Sequence, residues 1–438
     1  MRIGLRLEEH ACHGVMLAGR TVVAAAAVLD AGSLTEAAEQ ALFRLGQIKA
    51  ATVSEIVVDV GRVLTSRRLS SVAVIRVSPR PPADAFHTSR LPRIVEGAAT
   101  RILHVRGGHD IRARELAPLD LASFKKNVAT VVEGHRNVAI TALGATSTDE
   151  HEARIADAIL AHDSSVRISI SHDFFANAFR DRDFTTTLNS ALMETGEFLA
   201  ITLEQLCRRH YPGAEVSFVK NDGGRARIRQ LAGTPVHALH PEPASQLLGL
   251  ALLATEPDCE VIMADDKAMT VGATRGGIPA SSSLIRAGYE ASLATNAAAV
   301  ENYTANHPIH PLAPTVVADL RKDRGEPLPF GLNATFSTHE DAALIGCAAA
   351  PWTAWIDRLE NVDNKEDLQQ VQRLAEEDAK SIVIQSGGSP ALTRIMESNA
   401  YALPYGNPGI VRVRVQAADE SDHGNGVQPP HQQQRVAT

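Results

Sequence analysis

The sequence predicts a layered α/β protein. Three observations carry that prediction. β-branched runs alternate with helix-patterned stretches from the first residues to about residue 171, and the alternation resumes at Glu215. A strand–helix–strand rhythm of this kind is how sheets acquire covering layers of helices. Two short apolar strands, Ile3–Leu7 and Cys259–Met263, then run into acidic turns, as though one unit had been used twice.

In order, Ile3–Leu7 and Val22–Leu29 read as strands. Ser33 and Glu36 form a capping box that opens a helix to about Lys49. Glu55–Val58 and Val72–Val77 suit buried strands. A turn-rich stretch with Pro79, Pro81, Pro82, Gly107 and Gly108 carries a short strand pair around Arg101–Arg106, before a helix over Leu121–Glu133. Strand Asn137–Ala142, a helix capped by Ser147 with Glu150, and strand Val166–Ser171 follow. A long helix spans about Phe179–Arg209, stopped by Tyr211-Pro212-Gly213. Then come strand Glu215–Lys220, a turn at Gly223-Gly224, helix Ala244–Ala254 and strands Cys259–Met263 and Thr270–Thr274. Residues 288–330 read as an irregular connection. Helices from near Thr338 to Ala349 and over Lys365–Ser386 precede a closing strand Val411–Gln416. The charges of Lys365–Glu377 read as a solvated helix face, and the polar residues after Ala417 as a disordered tail. The expected divisions are residues 1–175, 176–350, 351–417 and a tail of 418–438.

With 438 residues the chain is long enough for two or three cores. A net charge of −8, with no basic stripe, argues against nucleic acid. The longest apolar run, Val22–Leu29, is too short for a bilayer, and the N-terminus lacks a secretory pattern. Cys12, Cys207, Cys259 and Cys347 show no paired spacing, which suits reduced thiols in a cytoplasm.

The order of several short motifs resembles the hydantoinase A / 5-oxoprolinase family in its short form, over roughly residues 2–417. Ala142-Leu143-Gly144-Ala145 followed by His151-Glu152 is similar to the family's strand, turn and His-Glu helix start. Ser169-Ile170-Ser171-His172-Asp173 resembles its Ser-x-Ser-His-Glu strand end, and Thr185-Thr186-Thr187-Leu188-Asn189 its Thr-rich helix. Lys220-Asn221-Asp222-Gly223-Gly224 resembles its Gln-Ser-Asn-Gly-Gly turn. Gly272–Pro279, Leu403–Asn407 and Val411–Arg414 resemble later family segments. The resemblance implies a two-lobed actin/sugar-kinase-like (ribonuclease-H-like) fold with a cleft between the lobes. It also implies hydrolysis of C–N bonds in small cyclic amides, imides or ureas, and a B-type hydantoinase subunit as partner; a homo-oligomer is the other assembly to consider. Asn221, Gly223 and Gly224 would then border the cofactor, with His172 and Asp173 near substrate as catalytic candidates. A hydrogen-bonded structural role for His172 stands beside the catalytic one. His151-Glu152 reads as structural, because acidic groups favour a first helical turn.

The departures fall where the family binds ATP. Gly-Gly-Thr turns are replaced by Glu8-Glu9-His10 and by Asp265-Asp266, Met263 stands where an Asp is expected, and His240-Pro241-Glu242 replaces a Ser-Gly-Pro turn. Glycine turns hold phosphates through close backbone N–H groups. A carboxylate ~4 Å from a phosphate charge is repelled by ~4 kcal/mol at an effective dielectric of about 20. Conventional ATP use is therefore not expected. Two readings of the acidic turns remain: a decayed site, or a divalent-metal site built from Glu8, Glu9, His10, His13, Asp265 and Asp266. Cys12 would serve as a nucleophile only if His10 or His13 lowered its pKa. A different class of function, an inert scaffold or regulatory subunit of a hydantoinase-type complex, fits the same departures.

Overall fold

The structure, a computed structural model, describes residues 1–47, 52–81, 91–266, 268–286, 288–304, 314–321, 327–329, 332, 334, 336–337, 341–403 and 409–419. The chain begins with a meander of β1 (Arg2–Leu7), β2 (Cys12–Ala18) and β3 (Thr21–Val28), covered by α1 (Leu34–Gly46). Ser33 caps the helix as expected, accepting from the Glu36 N–H at 3.2 Å, while the Glu36 carboxylate accepts from the Gly32 N–H at 3.0 Å, one residue before the N-cap that a capping box would use. β4 (Glu55–Asp59) lies parallel to β1, and α2 (Gly61–Ser66) follows it.

A second layer is inserted next. β5 (Val72–Ser78), α3 (Arg93–Glu96), β6 (Ala99–Arg106), α4 (Leu121–Val132), β7 (Asn137–Ala142), α5 (Glu150–His162) and β8 (Arg167–Ile170) make a parallel sheet in the order β6-β5-β7-β8. The strand pair expected around Arg101–Arg106 is instead the one strand β6, paired in parallel with β5. The chain returns through α6 (Phe179–His210) to β9 (Glu215–Val219) and β10 (Arg225–Arg227), completing a first sheet β10-β9-β4-β1-β2-β3. That sheet and α6 enclose the largest apolar core, which includes Leu5, Leu42, Ile56, Phe184 and Phe218.

α7 (Glu242–Ala254) leads to a second copy of the same plan. Its strands are β11 (Cys259–Ala264), β12 (Met269–Arg275), β13 (Ile278–Pro279), β14 (Ser281–Ser282), β15 (Ala297–Ala298), β16 (Glu301–Asn302), β17 (Thr315–Asp319) and β18 (Phe336–Ser337), before α8 (Ala342–Ala349). The sheet order is β13-β12-β11-β17-β18. In each sheet the first strand has an antiparallel hairpin partner on one side and a parallel strand on the other. The hairpin turns correspond as well. Glu8 N–H donates to Ala11 O at 2.9 Å, and Asp265 N–H to Ala268 O at 3.0 Å.

A further, antiparallel sheet closes the molecule in the order β19-β21-β20, from β19 (Thr353–Asn361), β20 (Thr393–Ala402) and β21 (Ile410–Asp419), packed under α9 (Lys365–Ser386). The mixed α/β, two-lobed architecture read from the sequence is the one observed. Among the described residues no helix is long and apolar enough to cross a membrane. The expected helix start at Thr338, the segment Pro404–Asn407 and the tail beyond Asp419 lie outside the described residues.

Candidate active site and the interlobe cleft

A buried carboxylate sets the first candidate residues. Glu152, on the first turn of α5, is fully buried. It accepts from Ala142 N–H at 2.7 Å, Ser171 Oγ–H at 2.6 Å and His172 N–H at 2.9 Å. The end of β7 and the turn Ser171–Asp173 after β8 are thereby tied to one side chain. Burial nevertheless pushes the Glu152 carboxyl up to about 7, outweighing these donors. His151 accepts from Gly108 N–H at 2.8 Å through Nδ1, and its Nε2 lies 3.1 Å from Glu115. The His-Glu pair is thus structural, as expected, but as a clamp between distant segments rather than as part of a helix cap. Ser147 does not cap α5; Asp149 occupies the N-cap, and the Ser147 hydroxyl donates to Ile111 O at 2.7 Å.

The clamp presents His172 and Asp173 to two neighbouring cavities. His172 donates from Nδ1 to Ala145 O at 2.6 Å, which leaves Nε2 as an acceptor. It lines a cavity of about 190 Å³ together with Thr146, Phe174, Trp355 and Arg358. Asp173 lines the adjacent cavity of about 260 Å³ with Lys220, Asp222, His237, Asn296 and Trp355. Phe175, Trp355 and Asp357 border both.

The larger cavity is built on the turn after β9. Asp222 is buried and collects Trp355 Nε1–H at 2.8 Å, Thr353 Oγ1–H at 3.2 Å, Lys220 Nζ at 3.3 Å and Gly224 N–H at 3.0 Å. Lys220 also donates to Thr353 O at 3.1 Å, so one ammonium hydrogen remains for the cavity. His237 Nδ1 lies 2.7 Å from Thr295 Oγ1. Burial, and then the Lys220 charge, lower its pKa to about 4, which keeps the ring neutral near pH 7. The amide oxygen of Asn296, which also lines the cavity, is buried without a hydrogen-bond partner among the described residues.

The residues expected at a cofactor have protein partners. Asn221 Nδ2 donates to Val236 O at 3.0 Å and Thr295 Oγ1 at 3.3 Å, and its Oδ1 accepts from His240 N–H at 2.7 Å. Gly223 takes φ 83°, and a Cβ on Gly224 would meet Thr353 Oγ1 at 1.7 Å. Gly224 serves a close approach to β19, and Gly223 a left-handed turn packed against Ala244 and Pro279.

Between the two repeated sheets runs a cleft of about 1120 Å³, bordered by Asp59, Arg62, Leu239–Pro243, Met263, Asp265 and Ala297–Glu301. Asp265 faces it, its Oδ1 accepting from Ala268 N–H at 2.8 Å. Glu8 reaches its edge only through Arg62, at 2.5 Å, and Arg62 also holds Glu242 at 3.2 Å. Glu9 turns to Arg67 at 2.7 Å, and that bond holds its pKa below the usual value. His10 Nδ1 bonds Ala31 O at 3.1 Å, while His13 sits on β2. Burial and the nearby Arg6 charge lower the His13 pKa. Asp266 follows Asp265 in the exposed turn. Among the described residues no three His, Cys, Asp or Glu side chains gather in an arrangement that could hold a metal. Cys12 is buried, and burial pushes its thiol up to about 12, the reverse of activation.

The sequence reading missed His237, Thr295, Asn296 and Trp355. Trp355 carried a faint signal as one of two tryptophans, three residues after the other. The others come together only through tertiary contacts.

The fold is shared with two solved structures. An ATP-dependent caprolactamase from Pseudomonas jessenii superposes with a TM-score of 0.73 at 10% identity, covering 96% of this chain and 88% of that one. A nucleotide-free acetone carboxylase superposes at 0.64 and 12% identity, covering 95% and 87%. No protein-family model and no curated protein sequence matches the chain. The chain therefore has the two-lobed fold seen in these two ATP-dependent enzymes.

Proposed function

We propose that this chain is a divergent hydantoinase/oxoprolinase-type hydrolase that opens the C–N bond of a small cyclic amide, imide or urea without conventional use of ATP. The observation that carries the reading is the 260 Å³ cavity, which offers a ring amide complementary groups. The free Asn296 amide oxygen accepts the ring N–H, and the remaining Lys220 hydrogen is donated to the ring carbonyl. Asp173, exposed at the mouth, takes a proton from a water whose oxygen attacks the carbonyl carbon. The C–N bond then breaks and the proton passes to the leaving nitrogen. Lys220 stabilises the oxyanion, supported by Asp222 beneath it. The likeness in fold to a caprolactamase over nearly the whole chain agrees with this class of substrate.

The test incubates purified protein with hydantoin, 5-oxoproline and caprolactam without nucleotide and follows ring-opened products by mass spectrometry. At least one substrate should open, and Asp173→Asn should reduce the rate about 100-fold or more, within the range for removing a general base. Products formed only with MgATP would overturn the nucleotide-free part of the reading.

A specific observation favours a second reading, the inert scaffold. Arg62 and Arg67 hold Glu8 and Glu9 within the protein's own ion pairs. On that reading the chain co-purifies with a B-type hydantoinase subunit, and no substrate opens in its isolated state.

A further inference from the structure

The cleft itself is not used by the chemistry above, and its lining is wrong for a polyphosphate. Asp59 lies on its floor at the end of β4, only 4% exposed. One carboxylate oxygen accepts from Gly61 N–H at 2.9 Å; the other has no hydrogen-bond donor among the described residues. Burial pushes this carboxyl up to about 6, since the nearby Arg6 charge offsets only part of the desolvation. Glu242, Asp265 and Glu301 add three more carboxylates to the lining, against the cations Arg62 and Arg286. Arg62 is already shared between Glu8 and Glu242. The remaining wall is aliphatic, with Leu239, Met263, Ile285 and Val300.

We propose that the cleft binds an organic cation with an aliphatic body, a primary amine or diamine, whose ammonium group donates to the free oxygen of Asp59. A carboxylate oxygen that opens onto the cleft and receives no donor from the described residues is available to an N–H or O–H group of a ligand. The excess of carboxylates selects a positive one, and the aliphatic wall accepts the hydrocarbon. A volume of about 1120 Å³ holds such a molecule with room to spare. This site is separate from the cavity at Asp173, and it stands whether or not the chain hydrolyses a ring.

Isothermal titration calorimetry on the full chain tests it with 1,6-diaminohexane, 1,6-hexanediol, adipate and MgATP. The diamine should bind saturably, at least tenfold tighter than the diol or adipate, and MgATP should give no binding heat. Asp59→Asn should weaken the diamine at least tenfold. Should that variant misfold, Glu242→Gln at the partly exposed start of α7 should still weaken it severalfold. Tighter binding of adipate or MgATP, or diamine binding unchanged in a folded Asp59→Asn variant, would overturn the proposal. Diamine binding without any ring hydrolysis would leave it intact while counting against the hydrolase reading.

Discussion

Glu152 shows most plainly how a single residue organises the site. Its side chain holds the end of β7 and the turn bearing His172, so Glu152→Ala would leave several buried donors unpaired. Each orphaned buried donor costs roughly 1–3 kcal/mol. Chemical denaturation should therefore show a loss of about 3 kcal/mol or more. The raised pKa also sets a direction with pH. A carboxyl of ordinary pKa 4.5 raised to about 7 keeps its proton in the folded state while the unfolded chain has lost it. Its contribution is full below 4.5 and falls as pH rises toward 7. His237, lowered from 6.5 to about 4, acts in the opposite sense and costs stability as pH falls through that range. The expected outcome is that Glu152→Gln removes part of the decline in melting temperature between pH 5 and 7.5, whereas His237→Gln steadies the acid side. That His151 and Glu152 are structural was legible from their place at a helix start, but the clamp they form was not, because its partners at Gly108, Glu115, Ala142 and Ser171 are distant in sequence. The roles of Asn296 and His237 were not legible either, because their partners lie far along the chain.

Among the elements, the crossing of α7 and α8 joins the two repeats. A Cβ on Gly249 would meet Ala342 O at 1.8 Å, and one on Gly346 would meet Ser245 O at 1.8 Å. The backbones touch where glycine alone fits. Gly249→Val should thus separate the helices and lower stability by about 3 kcal/mol or more, beyond the usual cost of overpacking. Thermal melts of Gly249→Val and Gly346→Val check this; an unchanged melting temperature would mean that the crossing relaxes. The legible elements carry strong local signals. α9 has Asn364 accepting from Glu366 N–H at 2.8 Å, and β7 is a fully buried six-residue run. β19 was missed because its residues mix Trp355, Asp357 and Arg358, leaving no clean alternation. β2 opens with Cys12-His13-Gly14, which gives no clean apolar alternation, and His13, a candidate metal ligand from sequence, lies within that strand. With β19 went Trp355 and Asp357, two of the three residues that border both cavities.

For the whole molecule, the doubled sheet plan explains why two unlike sequences, Arg2–Leu7 and Cys259–Ala264, occupy equivalent places. Alternating apolar strands and capped helices were enough to reveal the layered α/β class, and the order of the family-like motifs implied the two lobes. What the acidic turns do was not legible, because sequence gives no sign that Arg62 and Arg67 lie opposite Glu8 and Glu9. Exposed pairs of this kind add little stability, so Arg62→Ala should change the melting temperature by no more than a degree or two. It should also leave MgATP without a measurable thermal shift, since Glu8 and Glu242 would then face the phosphates unmatched.

The central claim is ring opening in the Asp173 cavity without nucleotide. The most direct test is a mass-spectrometric time course of ring opening by nucleotide-free protein and its Asp173→Asn variant, with and without added MgATP. The account predicts product from the wild-type chain alone, no gain on adding MgATP, and near-complete loss in the variant. Product that depends on MgATP, or that survives in Asp173→Asn, would contradict it.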